Sequence, residues 1–92
     1  QSSVGEALYL SNHPAVQELT RPGGGNLVER LLAVPSSREL IAAGVRGVHG
    51  REPRAEELDY LAKWFDAQPS RERAARDLVW SLLTSAEFRF NH

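Results

Sequence analysis

The chain contains no cysteine and no methionine, and Lys63 is its only lysine against ten arginines. Without thiols there can be no disulfide framework, zinc–thiolate site, cysteine nucleophile or haem attached through Cys-x-x-Cys-His. Neither redox compartment is excluded, because a thiol-free chain persists in both. Charge of one sign is also missing. Eleven basic and twelve acidic side chains leave a net charge of -1, so there is no clearly basic balance of the kind that draws a protein to nucleic acid. No apolar run approaches the ~18 residues of a membrane span, and no basic-then-apolar leader opens the sequence. The reading is therefore no nucleic acid and no membrane insertion. The chain opens at Gln1 rather than Met, and it is expected to be a piece of something longer.

What is present is the composition of a folded domain, 41% hydrophobic and 25% charged. Ninety-two residues suit one domain spanning 1–92, able to bury roughly two-thirds of the surface its unfolded chain exposes. The hydrophobic spacing is helical. Leu40, Ile41, Val45 and Val48 share a helix face, as do Leu58, Leu61 and Phe65, and again Ala75, Leu78, Val79, Leu82 and Ala86. Shorter helices are expected around Leu27–Leu32 and around Ala7–Leu10. Strand-length alternation is absent.

The punctuation matches. Ser3, Asn26, Ser36 and Thr84 each precede a glutamate by three residues (Glu6, Glu29, Glu39 and Glu87), the spacing of a capping box. Ser70 after Pro69, and Asn12-His13-Pro14, read as further helix starts. The run Pro22-Gly23-Gly24-Gly25 lacks both the preceding strand and the Gly-Lys-Ser/Thr ending of a phosphate-binding loop, so it reads as a turn.

One stretch crowds charge together: Val48-His49-Gly50-Arg51-Glu52-Pro53-Arg54-Ala55-Glu56-Glu57-Leu58. It reads as one helix ending and the next beginning. Gly50 suits a left-handed C-terminal cap, and Arg46 and His49 occupy the last turn, where positive charge is favoured. Pro53 cannot continue the first helix, and Glu56 and Glu57 open the second.

The run Gly50-Arg51-Glu52-Pro53 through Leu58, the segment Leu78–His92 and the opening Ala7-Leu8-Tyr9-Leu10-Ser11-Asn12 together resemble a C-terminal domain of unknown function. That domain closes large secreted proteins of planctomycete-type bacteria, often behind cytochrome-c-like segments. A looser likeness runs to bacterial repeat domains carrying Arg-x-Pro and Ser-x-Glu-Phe, and to phycobilisome linker domains. The resemblance implies an extracytoplasmic setting and a packing or linker role. Arg54 stands where that family usually has Thr or a similar cap, which implies a weaker helix start. Arg51 is the residue the likenesses share, and it is expected to tie its loop to backbone carbonyls or to a carboxylate such as Glu87.

Catalytic signatures are not found. His13, His49 and His92 have no metal-ligand spacing, Ser81 and Ser85 have no histidine near them in sequence, and no Gly-x-Ser-x-Gly elbow exists. Asp59–Lys63, Glu72–Arg76 and Arg73–Asp77 are spaced as helix-surface ion pairs. Trp64 and Trp80 are read as core anchors rather than sugar platforms, with Trp80, Arg73 and Arg76 as the candidate interaction patch. Gly50, Arg51 and Pro53 form the candidate structural loop.

The expected architecture is all-α, a small bundle of about five or six short helices. The last three, 54–66, 71–84 and a brief turn from 85, would pack as an antiparallel pair plus tail. The core is expected from Val4, Leu8, Leu31, Ile41, Val45, Leu58, Leu61, Phe65, Leu78, Val79, Leu82 and Phe88. No enzyme, catalytic residue, metal or cofactor is expected. The functional expectation is a non-catalytic packing or docking module that meets upstream segments of its own parent chain or another protein. The competing class is an accessory carbohydrate-contact domain, signalled by an exposed Trp80, and an electron-transfer partner would need a haem segment that this chain lacks.

Overall fold

The computed structural model describes residues 13–85. Val4, Leu8, Glu6, Glu87 and Phe88, the helix expected around Ala7–Leu10 and most of the turn expected from 85 lie outside them. The described part is all-α: α1 (Pro14–Leu19), α2 (Leu27–Leu32), α3 (Ser37–His49), α4 (Ala55–Asp66) and α5 (Arg71–Thr84). No strand occurs among the described residues.

Four of the five described helices start where a side chain satisfies an exposed amide of the first turn. Asn26 accepts from the Glu29 amide at 3.0 Å, Ser36 from the Glu39 amide at 3.3 Å and Ser70 from the Arg73 amide at 3.1 Å. One expected start gains its detail and one expectation changes. At Asn12-His13-Pro14 the cap is His13, whose Nδ1 accepts from the Ala15 amide at 3.1 Å, with Pro14 as the first helical residue. Thr84, read as the opening of a further turn, is the last residue of α5, and its hydroxyl donates back to the Trp80 carbonyl at 2.9 Å. That back-bond commits the hydroxyl proton to the helix Thr84 closes.

The triple glycine is the turn it was expected to be. Gly24 and Gly25 have φ of 61° and 74°, a left-handed region that glycine occupies without steric cost. The loop closes on itself. Glu29 accepts from the Gly25 amide at 2.8 Å rather than completing its box at Asn26, and the Asn26 amide group donates to the Arg21 carbonyl at 2.9 Å.

The centre of the molecule is α3. Leu40, Ile41 and Val45 are completely buried, and α2, α4 and α5 all pack on this helix. The expected antiparallel pairing of α4 with α5 is therefore secondary, since each meets α3 over more of its length than it meets the other. Side chains of α2 and α5 converge on α3 at buried Gly44, where a Cβ would stand in ordinary contact, 3.4 Å from Leu78 Cδ2 and 3.5 Å from Leu31 Cδ1.

Most of the expected core is buried: Leu31, Ile41, Val45, Leu61, Phe65, Leu78, Val79 and Leu82. Leu58 is only partly buried and sits at the edge of the cluster. Leu40, Val28, Ala62, Ala74 and Ala75 complete the core, with the two adjacent alanines of α5 supplying the close approach that larger residues would prevent.

Candidate functional site

The motif that carries the most chemistry in sequence proves to be a brace. Gly50 takes φ 72° and ψ 22°, and its amide donates to the Arg46 carbonyl at 3.0 Å, closing α3 in the left-handed cap. The chain then turns through Arg51, Glu52 and Pro53. Arg51 reaches forward and grips Glu57 with both arms of its guanidinium, Nη1 to Oε1 at 3.0 Å and Nη2 to Oε2 at 3.1 Å. Nη1 also donates to the Glu52 carbonyl at 2.9 Å. Glu57 accepts in addition from the Arg54 amide at 3.2 Å, the return half of a capping box whose other half Arg54 cannot supply, because a guanidinium has no acceptor. The described carboxylate partner of Arg51 is thus Glu57, at the start of the following helix. The bonds from Arg51 hold the Glu57 carboxyl below its ordinary range against the opposing pull of partial burial, and the Arg54 amide adds to them.

The three residues of the expected patch differ in exposure. Arg76 donates to the Gln17 carbonyl, to Thr20 Oγ1 at 3.4 Å and to Glu72 at 3.2 Å. It therefore fastens α1 to α5 and is largely covered, at 14% side-chain exposure. Arg73 is more open and pairs with Asp77 at 3.4 Å. Trp80 is half-buried, and its indole N–H is buried with no acceptor among the described residues. Trp64 is also half-buried, edge-on to Phe65. Of the expected surface pairs, Glu72–Arg76 and Arg73–Asp77 form, while Asp59 meets Arg38 at 2.7 Å.

Folding also makes a meeting that linear spacing could not show. His49 Nε2 lies 3.0 Å from Ser85 Oγ and 3.0 Å from the Leu82 carbonyl, where α3 and α5 both end. With Glu57, Tyr60 and Leu61 these residues line a small cleft of about 150 Å³. A serine and a histidine in contact raise the question of nucleophilic catalysis. Here the Ser85 hydroxyl donates to the Leu82 carbonyl at 3.0 Å. Imidazole and hydroxyl thus both cover the Leu82 carbonyl in the last turn of α5.

A further open feature lies between α2 and α3. A groove of about 400 Å³ has Leu27, Leu31 and Val34 on one wall, Ala43 and Gly47 on the other, and Arg30 and Arg46 among its lining residues. A more polar cleft of about 330 Å³ lies beside Pro35, Asp66 and Arg71, but there Arg71 is already bound to the Val34 and Pro35 carbonyls. Among the described residues no three histidine, aspartate or glutamate side chains gather as a metal site, and no helix is long and apolar enough to cross a membrane. Comparison with protein-family models, curated proteins and solved structures finds no match to this chain, so its chemistry is argued from its own residues.

Proposed function

We propose that this domain is a non-catalytic docking module of a larger extracytoplasmic protein, and that the face formed by α2 and α3 is where it meets its partner. The observation that carries the reading is the groove itself, an apolar concavity open to solvent on a domain whose other apolar side chains are mostly packed together. The extracytoplasmic setting rests on the resemblance of the Gly50–Leu58 and Leu78–His92 runs alone.

The surrounding chemistry fits a scaffold. Arg51, Glu57, Arg76 and Asn26 are each engaged in holding one element to another. A carbohydrate-contact role would call for a flat aromatic ring free to stack, and the half-burial of Trp80 with its covered N–H weighs against that ring.

The test is calorimetric. The chain and an Ala43→Phe variant, which fills the groove, are each titrated with the remaining portion of the parent protein. Binding by the first and at least a tenfold loss in the second, with both folded by circular dichroism, is the expected result. Equal binding by the two, or binding of chitin or xylan oligosaccharides in place of the protein, would overturn the proposal.

A further inference from the structure

We infer that the α2/α3 groove seats an amphipathic helix whose apolar stripe is flanked by acidic side chains. The inference rests on the docking reading and adds the chemistry of the partner.

The two walls have the same construction. Within the helices Leu27, Arg30 and Leu31 stand at i, i+3 and i+4, as do Ala43, Arg46 and Gly47, and Val34 extends the first wall just past the end of α2. These are the rows that a helix offers to another helix lying against it. The pair of walls therefore presents what a third helix needs, a trough between two ridges.

Small residues line the α3 side. Gly47 has no side chain, and Leu27 closes over it, its Cδ1 lying 3.2 Å from where a Cβ would stand. With Leu31 buried, the half-buried Leu27 and Val34 and the small Ala43 opposite are the apolar surface left for an incoming side chain.

Charge then selects among such helices. Each wall contributes one arginine at its i+3 position, and no acidic residue lines the groove. Arg30 is exposed and forms no ion pair among the described residues. Arg46 is bonded to Glu52 at 2.9 Å, but on open surface, with side-chain exposures of 50% and 69%, so the bond is readily exchanged for one to a partner. Acidic residues beside the apolar stripe would meet both arginines, whereas lysines would bring like charges together.

The experiment uses the isotope-labelled chain and two synthetic peptides of about fourteen residues, stapled to stay helical. Both carry the same leucine stripe, flanked by glutamate in one and by lysine in the other. The glutamate peptide is expected to shift amides in residues 27–34 and 43–47 and to bind about tenfold tighter than the lysine peptide at low salt. Paired Arg30→Glu and Arg46→Glu substitutions, both at exposed positions, should reverse that order without altering the helical spectrum. Equal affinities, shifts centred elsewhere, or no binding by either peptide would overturn the inference. If the parent protein still binds the groove in the calorimetric test, the docking reading survives that failure; if it does not, both fall.

Discussion

Breaking the brace between Arg51 and Glu57 should cost a measurable part of the domain's stability, and the loss should belong to the pair. A double-mutant cycle of Arg51→Ala, Glu57→Gln and the combination isolates it. Well-sheltered hydrogen bonds to charged groups are worth ~1.5–3 kcal/mol, whereas exposed ion pairs contribute ~0–1 kcal/mol. The two side chains are 29% and 26% exposed, so solvent screening places the coupling near the lower figure, at ~1 kcal/mol. Arg51→Ala alone should cost ~1–2 kcal/mol, because it also removes the bond to the Glu52 carbonyl and leaves Glu57 without its main partner. In urea, monitored by tryptophan fluorescence, that corresponds to a midpoint lowered by roughly 1 M for a domain of this size. The pair also makes a pH prediction. Folding lowers the Glu57 pKa, so its contribution is complete above the ordinary glutamate range and is lost as pH falls through the lower, folded value. Wild type should therefore lose more stability in acid than Glu57→Gln. A cycle that is additive within ~0.3 kcal/mol, together with the same acid loss in both proteins, would refute the brace.

Other parts of the framework can be tested in the same way. Gly50→Ala places a side chain at φ 72° and should destabilise the domain by about 1 kcal/mol in thermal unfolding. Arg54→Thr should stabilise it by ~0.5–2 kcal/mol, because Thr supplies the acceptor missing from a box whose Glu57 half already exists; an unchanged urea midpoint would contradict this. Leu78→Ala, at a fully buried position between α3 and α2, should cost ~2–5 kcal/mol. Arg76→Ala should free α1, so hydrogen exchange at the Val16 to Thr20 amides would accelerate while those of α3 stay protected.

The helices were legible because local chemistry marks their ends. Arg71–Thr84 runs between Ser70 and a residue already outside helical geometry, and Ala55–Asp66 begins one residue after the arginine that fails as a cap. The hydrophobic periods found most of the core for the same reason: an amphipathic helix has one face to bury. The arrangement of the helices was harder to read. That α3 lies at the centre depends on which apolar faces meet across the chain, and the spacing within each helix does not say which face meets which. Long-range polar partners were likewise hidden. In sequence Arg76 reads as a partner of Glu72 and a member of a candidate patch, and its bridge to Gln17 and Thr20 across more than fifty residues of chain has no local sign. The meeting of His49 with Ser85 needs two helix ends brought together. The groove had a visible component in the Leu27, Leu31 and Val34 spacing, but its other wall is a stripe of Ala43, Arg46 and Gly47 whose small residues carry almost no periodic signal.

The central claim, that the α2/α3 face receives a protein partner, is tested most directly by an amide-resolved NMR titration of the chain with the rest of its parent protein. The account predicts a contiguous set of shifts on residues 27–34 and 43–47, with α4 and the Arg51–Glu57 corner unchanged. Shifts gathered instead around Trp80 and Arg73, or none at all in a well-dispersed spectrum, would contradict it.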